Sequence, residues 1–300
     1  LAHIIPNRDT RFPPVSDKMD GSTDRSIKMP PRIQTLQLMA GAAALADVPA
    51  MARSATSNVY DRSLVIDGLC FGKEWGEDVF TALGKAGYSG SVESLDREDL
   101  QTAIDELGGW RRRIDEHSDK LLMALSAGDF ERAKQSGRTA VLMNFQDATM
   151  LEGDEDNVDA LHALGMRSFQ LTYNFRNLLG DGCLERTNAG LSDFGVEVVA
   201  RMNQVGVMVD LSHCGPQTTL DGIAFSSKPV AMTHTMCNAL REHPRAKSDA
   251  AIKACADKGG VTGICALGYF IGPDPGGETT IEHYADHIEH AVSVAGHEHV

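Results

Sequence analysis

The feature that most constrains this chain is a rhythm. From residue 64 onward, short apolar runs rich in β-forming residues alternate with segments of helical period. The runs are residues 64–69, 88–94, 140–145, 169–173, 207–213, 230–234 and 261–267. Among the segments between them, "DNVDALHALG" puts Val158, Leu161 and Leu164 on one face and stops at Gly165. Another, "SDFGVEVVARMNQVG", starts at a Ser192 cap, aligns Phe194, Val198, Met202 and Val205, and stops at Gly206. Strands separated by helical crossovers run parallel, and a parallel sheet needs cover on both faces. Seven runs, with "GHEHV" at 296–300 read as the entry to an eighth, predict an α/β fold, a (β/α)8 TIM barrel cut before or within its eighth strand. A doubly wound open sheet is the alternative, but "VIDGLCFG" after the first run has no G-x-G-x-x-G phosphate loop. The run "LLMALSAGD" at 121–129, an extra short strand or lead-in, has no place in this count.

Composition narrows the partners. A formal charge of −14 with no Lys/Arg block argues against nucleic acid and anionic membrane surfaces. With 42% apolar residues, 300 residues suffice for one large or two ordinary domains. Six cysteines without a C-x-x-C pair signal neither a disulfide scaffold nor a zinc ribbon. Residues 1–28 are polar and proline-rich and read as a disordered or non-native leader. A basic opening at Lys28 and Arg32, an apolar stretch over 36–46 and the small-residue pattern Ala50-Met51-Ala52 make 29–52 resemble a signal peptide of twin-arginine type with one Arg. The expected destination is periplasmic or secreted, and the competing reading is a short amphipathic helix. The apolar stretch falls short of the ~20 residues that span a bilayer, so the mature chain, 59–300, is expected to have no transmembrane segment.

In a barrel of this kind the site lies at the carboxyl ends of the strands. Those ends offer Asp67, Leu69 and Cys70; Asn144, Gln146 and Asp147; Tyr173 and Asn174; Asp210, His213 and Cys214; Thr233, His234 and Cys237. Two histidines, His213 and His234, end adjacent strands with the parity of their large apolar neighbours. Parallel neighbours are about 4.8 Å apart, which lets two imidazoles converge on one metal ion. The plainer reading has each His capping its strand and bonding a carbonyl. Arg245, in the loop after the sixth run, is placed to grip a carboxylate, or is an ordinary surface Arg. His283 and His287 have helical metal-pair spacing, but a stripe of Ile281, Ala285, Ile288, Val292 and Ala295 predicts that they face solvent. "GYSGS" at 87–91 is not a nucleophile elbow, because its fifth residue is Ser91.

The stretches "GLSDFGVEVVARMNQVGVMVDLSHCG", "KPVAMTHTMCNALREHPRAKSDAAIKACADKGGVTGI" and "FQLTYN" resemble the renal (membrane) dipeptidase family of the amidohydrolase superfamily, over about residues 64–300. The resemblance implies a zinc-dependent (β/α)8 enzyme in which a hydroxide bridging two metals attacks a dipeptide amide. It also implies a proton-handling Asp on the eighth strand, which would fall beyond Val300. His213 and His234 match the two His ligands of the second metal, and Arg245 matches the Arg that binds the substrate carboxylate. Elsewhere the pattern departs. Leu69 and Phe71 stand where the first strand should carry His-x-Asp, Gln146 replaces the bridging Glu, and Tyr173 replaces a substrate-binding His.

Leu and Phe cannot hold zinc, and a neutral Gln bridges poorly. The expectation is therefore a divergent dipeptidase-like hydrolase with one zinc or none. Its partner is a small peptide-like substrate, and a homodimer is left open. The rival reading is a hydrolysis-deficient barrel that binds or tailors a peptide-derived metabolite. Cys70, Cys214 and Cys237, with Cys183, suggest a thiol site in place of the lost ligands; the alternative is a set of small half-buried residues. Cys255 and Cys265 read as core.

Overall fold

The computed structural model describes residues 60–71, 75–272 and 278–300. The leader and signal readings, on residues 1–52, lie outside the described residues. Eight parallel strands form one sheet: β1 (Ile66–Cys70), β2 (Gly90–Leu95), β3 (Leu121–Met123), β4 (Thr139–Phe145), β5 (Met166–Gln170), β6 (Met208–Asp210), β7 (Ala231–Thr235) and β8 (Val261–Ile264). The crossovers are α1 (Glu77–Ala86), α2 (Leu100–Glu116), α3 (Ala127–Ser136), α4 (Asp156–Leu164), α5 (Asp193–Val205), α6 (Pro216–Phe225) and α7 (Asp249–Asp257), followed by the short α8 (Gly268–Ile271) and by α9 (Ile281–Ala295). The architecture is that of the (β/α)8 barrel.

Local chemistry sets the helix ends. Ser192 accepts a hydrogen bond from the Gly195 amide and starts α5, and Gly206, at φ 87°, ends it. Gly165 ends α4 in the same left-handed way. Both boundaries match the sequence reading.

Continuous pairing runs β1-β2-β4-β5-β6-β7-β8, with β3 on β4 alone. The unplaced run at 121–129 thus contributes a strand of only three residues. It pairs with the first part of β4, Leu121 opposite Thr139 and Met123 opposite Val141. The remainder of that edge takes β5, Phe145 opposite Phe169. A strand this short carries no periodicity to read. The 296–300 segment, expected to open another strand, instead holds a 3₁₀ turn at His297–His299, where His299 Nδ1 meets the Gly260 carbonyl at 2.8 Å.

Met143, Phe145, Phe169, Val209, Leu211 and Met232 on or beside the strands pack with Leu107, Trp110, Val198, Met202 and Ile252 of the helices in one core. Each such side chain contributes about 1.5–3 kcal/mol by leaving water. A Cβ on Gly68 would lie 2.5 Å from the Thr233 carbonyl oxygen, so β1 can press on the β7 backbone only because residue 68 has no side chain. No helix among the described residues is long and apolar enough to cross a membrane.

The solvent face expected for α9 is corrected. His287 is buried at 2% exposure and Ala291 at 0%, whereas Ile281 is 58% exposed. The physical reason is a polar partner: His287 Nδ1 accepts from the Cys237 amide at 3.1 Å, and its carbonyl accepts from the Cys237 thiol at 3.3 Å. His283 instead caps its own helix at Thr280.

Candidate metal-binding site between two strand ends

Two strand ends carry the site. β6 stops at Asp210, and the turn that follows carries Ser212, His213 and Cys214; β7 carries Thr233 and His234. His213 therefore lies beyond the strand, not in it as its parity predicts, yet the two imidazoles meet: Nε2 to Nε2 is 3.1 Å. Both residues are buried, at 7% and 6% exposure. Burial, with Arg245 nearby, holds both rings well below the usual histidine pKa, so they are neutral and able to ligate.

A hydrogen-bonded frame fixes the rings. Asp210, fully buried, accepts at Oδ1 from the Ser212 amide (2.9 Å), the Ser212 hydroxyl (2.6 Å) and the Thr233 amide (3.3 Å). At Oδ2 it accepts from the Thr233 hydroxyl at 2.6 Å. Burial pushes the Asp210 carboxyl up while these donors favour its charged form. Thr233 Oγ1 also lies 2.9 Å from His234 Nδ1, and Asn174 Oδ1 lies 2.9 Å from His213 Nδ1. Tyr173 stacks on His213 with ring centroids 4.1 Å apart, and the Arg97 guanidinium lies 4.6 Å over the Tyr173 ring.

Arg245 is buried, and its terminal nitrogens donate to the Ser212 and His234 carbonyls, the latter at 2.8 Å. The guanidinium thus braces both histidine-bearing segments. Its Nε has no partner among the described residues. Lys247, two residues on and also buried, donates from Nζ to the Cys214 carbonyl and to Thr219 Oγ1, each at 2.8 Å. Burial lowers its pKa to about 8.

The other positions read from the sequence lie on or next to β1, or in the segments that follow β4, β5, β6 and β7. Leu69 is half-buried and Phe71 is 62% exposed. Gln146 donates from Nε2 to Ser94 Oγ at 2.7 Å. Cys70 sits opposite Glu93 on β2, and burial, reinforced by Asp67 and Glu93, pushes its thiol up. Burial does the same to Cys214 and Cys183, and raises Cys237 to about 11. Cys183 and Cys214 lie in adjacent segments through the Cys183 amide bond to the His213 carbonyl, while Cys237 is engaged with His287. Among the described residues no three His, Cys, Asp or Glu side chains are arranged to hold a metal. Lys247 and Arg97 escaped the sequence reading. Arg97 sits in the charged run "DRED" after β2, which reads as a solvated turn, and nothing in "RAKSD" marks its Lys as buried.

The arrangement resembles known proteins. The dipeptidase verJ of Clonostachys rogersoniana is 30% identical over 205 residues, 68% of this chain and 52% of its own length. This chain spans about half the length of the curated relatives it matches. Among solved structures, an amidohydrolase from Pseudomonas aeruginosa superposes with a TM-score of 0.75 at 36% identity, covering 80% of this chain and 73% of that one. A metallo peptidase from Rhodobacter sphaeroides, liganded with a phosphinate mimic of the dipeptide L-Ala-D-Ala, shares the fold with a TM-score of 0.68 at 18% identity, over 78% of this chain and 83% of its own. The family model of membrane dipeptidase, peptidase family M19, matches residues 30–300, and the chain belongs to that family.

Proposed function

We propose that the protein is a membrane-dipeptidase-type hydrolase acting on a dipeptide or similar small amide, with at most one zinc, held by His213 and His234. The observation that carries this reading is the 3.1 Å between their Nε2 atoms, with each Nδ1 turned to a polar partner. Two nitrogens bound at tetrahedral zinc lie about 3.3 Å apart, from Zn–N distances of about 2.0–2.1 Å, so the pair is close to a ligating span without rearrangement. When bound, zinc would supply Lewis acidity toward the amide carbonyl. The protein's own part is to hold the two rings, to wall the site with Tyr173 and to anchor the substrate carboxylate through the unpartnered Nε of Arg245. The fit stops at one ion, since Leu69, Phe71 and Gln146 bring no anionic ligand. By elemental analysis, full-length protein is expected to hold one zinc that is lost in His213→Ala, with dipeptide turnover lost alongside it.

One observation favours a second reading: no three metal-binding side chains come together among the described residues. It supports a hydrolysis-deficient barrel that binds a peptide-derived metabolite. Metal-free protein that still binds a dipeptide, with no turnover on zinc addition, would establish that reading and reject the first. Export is inferred from residues 29–52 alone, and recovery of the protein in the cytosolic fraction of its native host would reject it.

A further inference from the structure

The two imidazoles are held by different kinds of partner. Asn174 Oδ1 faces His213 Nδ1 and also takes the Cys183 thiol at 3.6 Å. An amide oxygen only accepts, so His213 carries its proton on Nδ1 and presents Nε2 as a lone pair. His234 Nδ1 faces a hydroxyl, Thr233 Oγ1, which can accept or donate. His213 therefore has one tautomer open to it, and His234 has two.

Asp210 decides between those two. Its Oδ1 is taken by three donors, and its Oδ2 faces the Thr233 hydroxyl at 2.6 Å. While Thr233 donates there, its oxygen can only accept from His234, which places the His234 proton on Nδ1.

We propose that Asp210, acting through Thr233, is a positioning residue that selects the Nδ1–H tautomer of His234, while Asn174 fixes that of His213, so that two Nε2 lone pairs face one point. This rests on the cation site of the preceding section. Without a cation, lone pairs 3.1 Å apart repel, and only His234 can relieve the conflict. Its ring proton then sits on Nε2 and is donated to His213 Nε2, and the Thr233 hydroxyl turns from Asp210 to donate to His234 Nδ1. The balance closes: His234 keeps one ring proton, Thr233 keeps its own, Asp210 stays a carboxylate and no proton leaves. A cation held between the two Nε2 atoms would favour the reverse change. The site is thus a tautomer switch on one side and a lock on the other.

Long-range ¹H–¹⁵N spectra of the full-length protein, zinc-free and with zinc added, read both rings directly. His213 is expected as Nδ1–H throughout, and His234 as Nε2–H without zinc and Nδ1–H with it. Thr233→Val is expected to lower zinc affinity about 10- to 100-fold, the range for losing an outer partner of a ligating His, and Thr233→Ser to restore it. Asn174→Leu leaves Asp210 untouched and is expected to let His213 populate both tautomers. A folded Thr233→Val protein with wild-type zinc affinity, or a His234 tautomer unchanged by bound zinc, overturns the proposal. If wild-type protein takes no zinc, the metallohydrolase reading fails instead. The zinc-free spectra then decide this inference: loss of the His234 Nε2–H preference in Thr233→Val supports it, and an unaltered spectrum overturns it.

Discussion

The two sides of the barrel mouth differ in how fully their buried polar groups are paired. On the β6–β7 side, Asp210 has four donors, both imidazoles have Nδ1 partners, and Lys247 has two acceptors, while Arg245 Nε is left without a partner among the described residues. On the β4–β5 side, Asn144 Nδ2 and Oδ1, Ser168 Oγ and Gln170 Nε2 are buried with no partner among the described residues, although Asn144 and Ser168 are direct Cα partners. β4 also leads into Gln146, which the sequence reading sets at a ligand position of the resembled family. A buried polar atom left unpaired costs about 1–3 kcal/mol. The β6–β7 side therefore contributes to holding the fold, and the β4–β5 side weakens it.

The largest test of this contrast is Asp210→Ala. Four donors lose their acceptor at once inside the protein. The expected loss in urea unfolding is on the order of 4 kcal/mol, comparable to breaking a buried charged pair. A loss below about 1 kcal/mol would mean that the network is not what holds this side together.

Lys247 gives the next largest effect, visible only against pH. Its folded pKa is lowered from 10.5 to about 8 by burial, so the folded state disfavours its charge. Below about pH 8 both states hold the proton and the full penalty is present; as pH rises from 8 toward 10.5 the unfolded chain alone holds it, and stability rises. Relative to Lys247→Met, which cannot titrate, wild-type stability should climb by up to about 3 kcal/mol across that window. A flat difference would place the ammonium in contact with water and remove it from the buried network.

The same contrast explains what was legible in the sequence. The β6–β7 side could be read because its determinants are local: Asp210, Ser212 and His213 lie within one turn, and Thr233 and His234 are adjacent. Helix ends at Ser192, Gly206 and Gly165 were equally local. β3, read as a short strand or lead-in, could not be placed because three residues show no period, and burial of His287 was missed because its partner, Cys237, is 50 residues away. Lys247 was missed for a related reason, since its acceptors at Cys214 and Thr219 belong to another loop. Nor could parity show that β6 ends three residues before His213, where a turn delivers the ring.

Arg245→Lys is a smaller test of the same side. The guanidinium donates to two carbonyls, those of Ser212 and His234, with its planar fork. A single ammonium cannot reproduce that geometry and should lose one of the two charged hydrogen bonds, about 1.5–3 kcal/mol. Thermal unfolding checks this. An unchanged Tm would assign the Arg to ligand binding alone.

Asn144→Val should have the smallest effect, and the opposite sign. Asn144 is fully buried with both side-chain polar atoms unpartnered, and its neighbour across the sheet, Ser168, is in the same condition. Valine suits a strand, removes the unpaired groups and alters the volume modestly, so the transfer penalty disappears while packing is largely kept. The expected change is a gain of up to about 1 kcal/mol in urea unfolding, within the range in which an unpaired polar group is replaced without a new cavity. Asn174→Val, in the segment that follows β5, removes an amide whose oxygen serves both His213 and Cys183, and should cost stability. A loss in both variants would show that Asn144 is held by a polar partner, such as an internal water, and would make the two sides of the mouth alike.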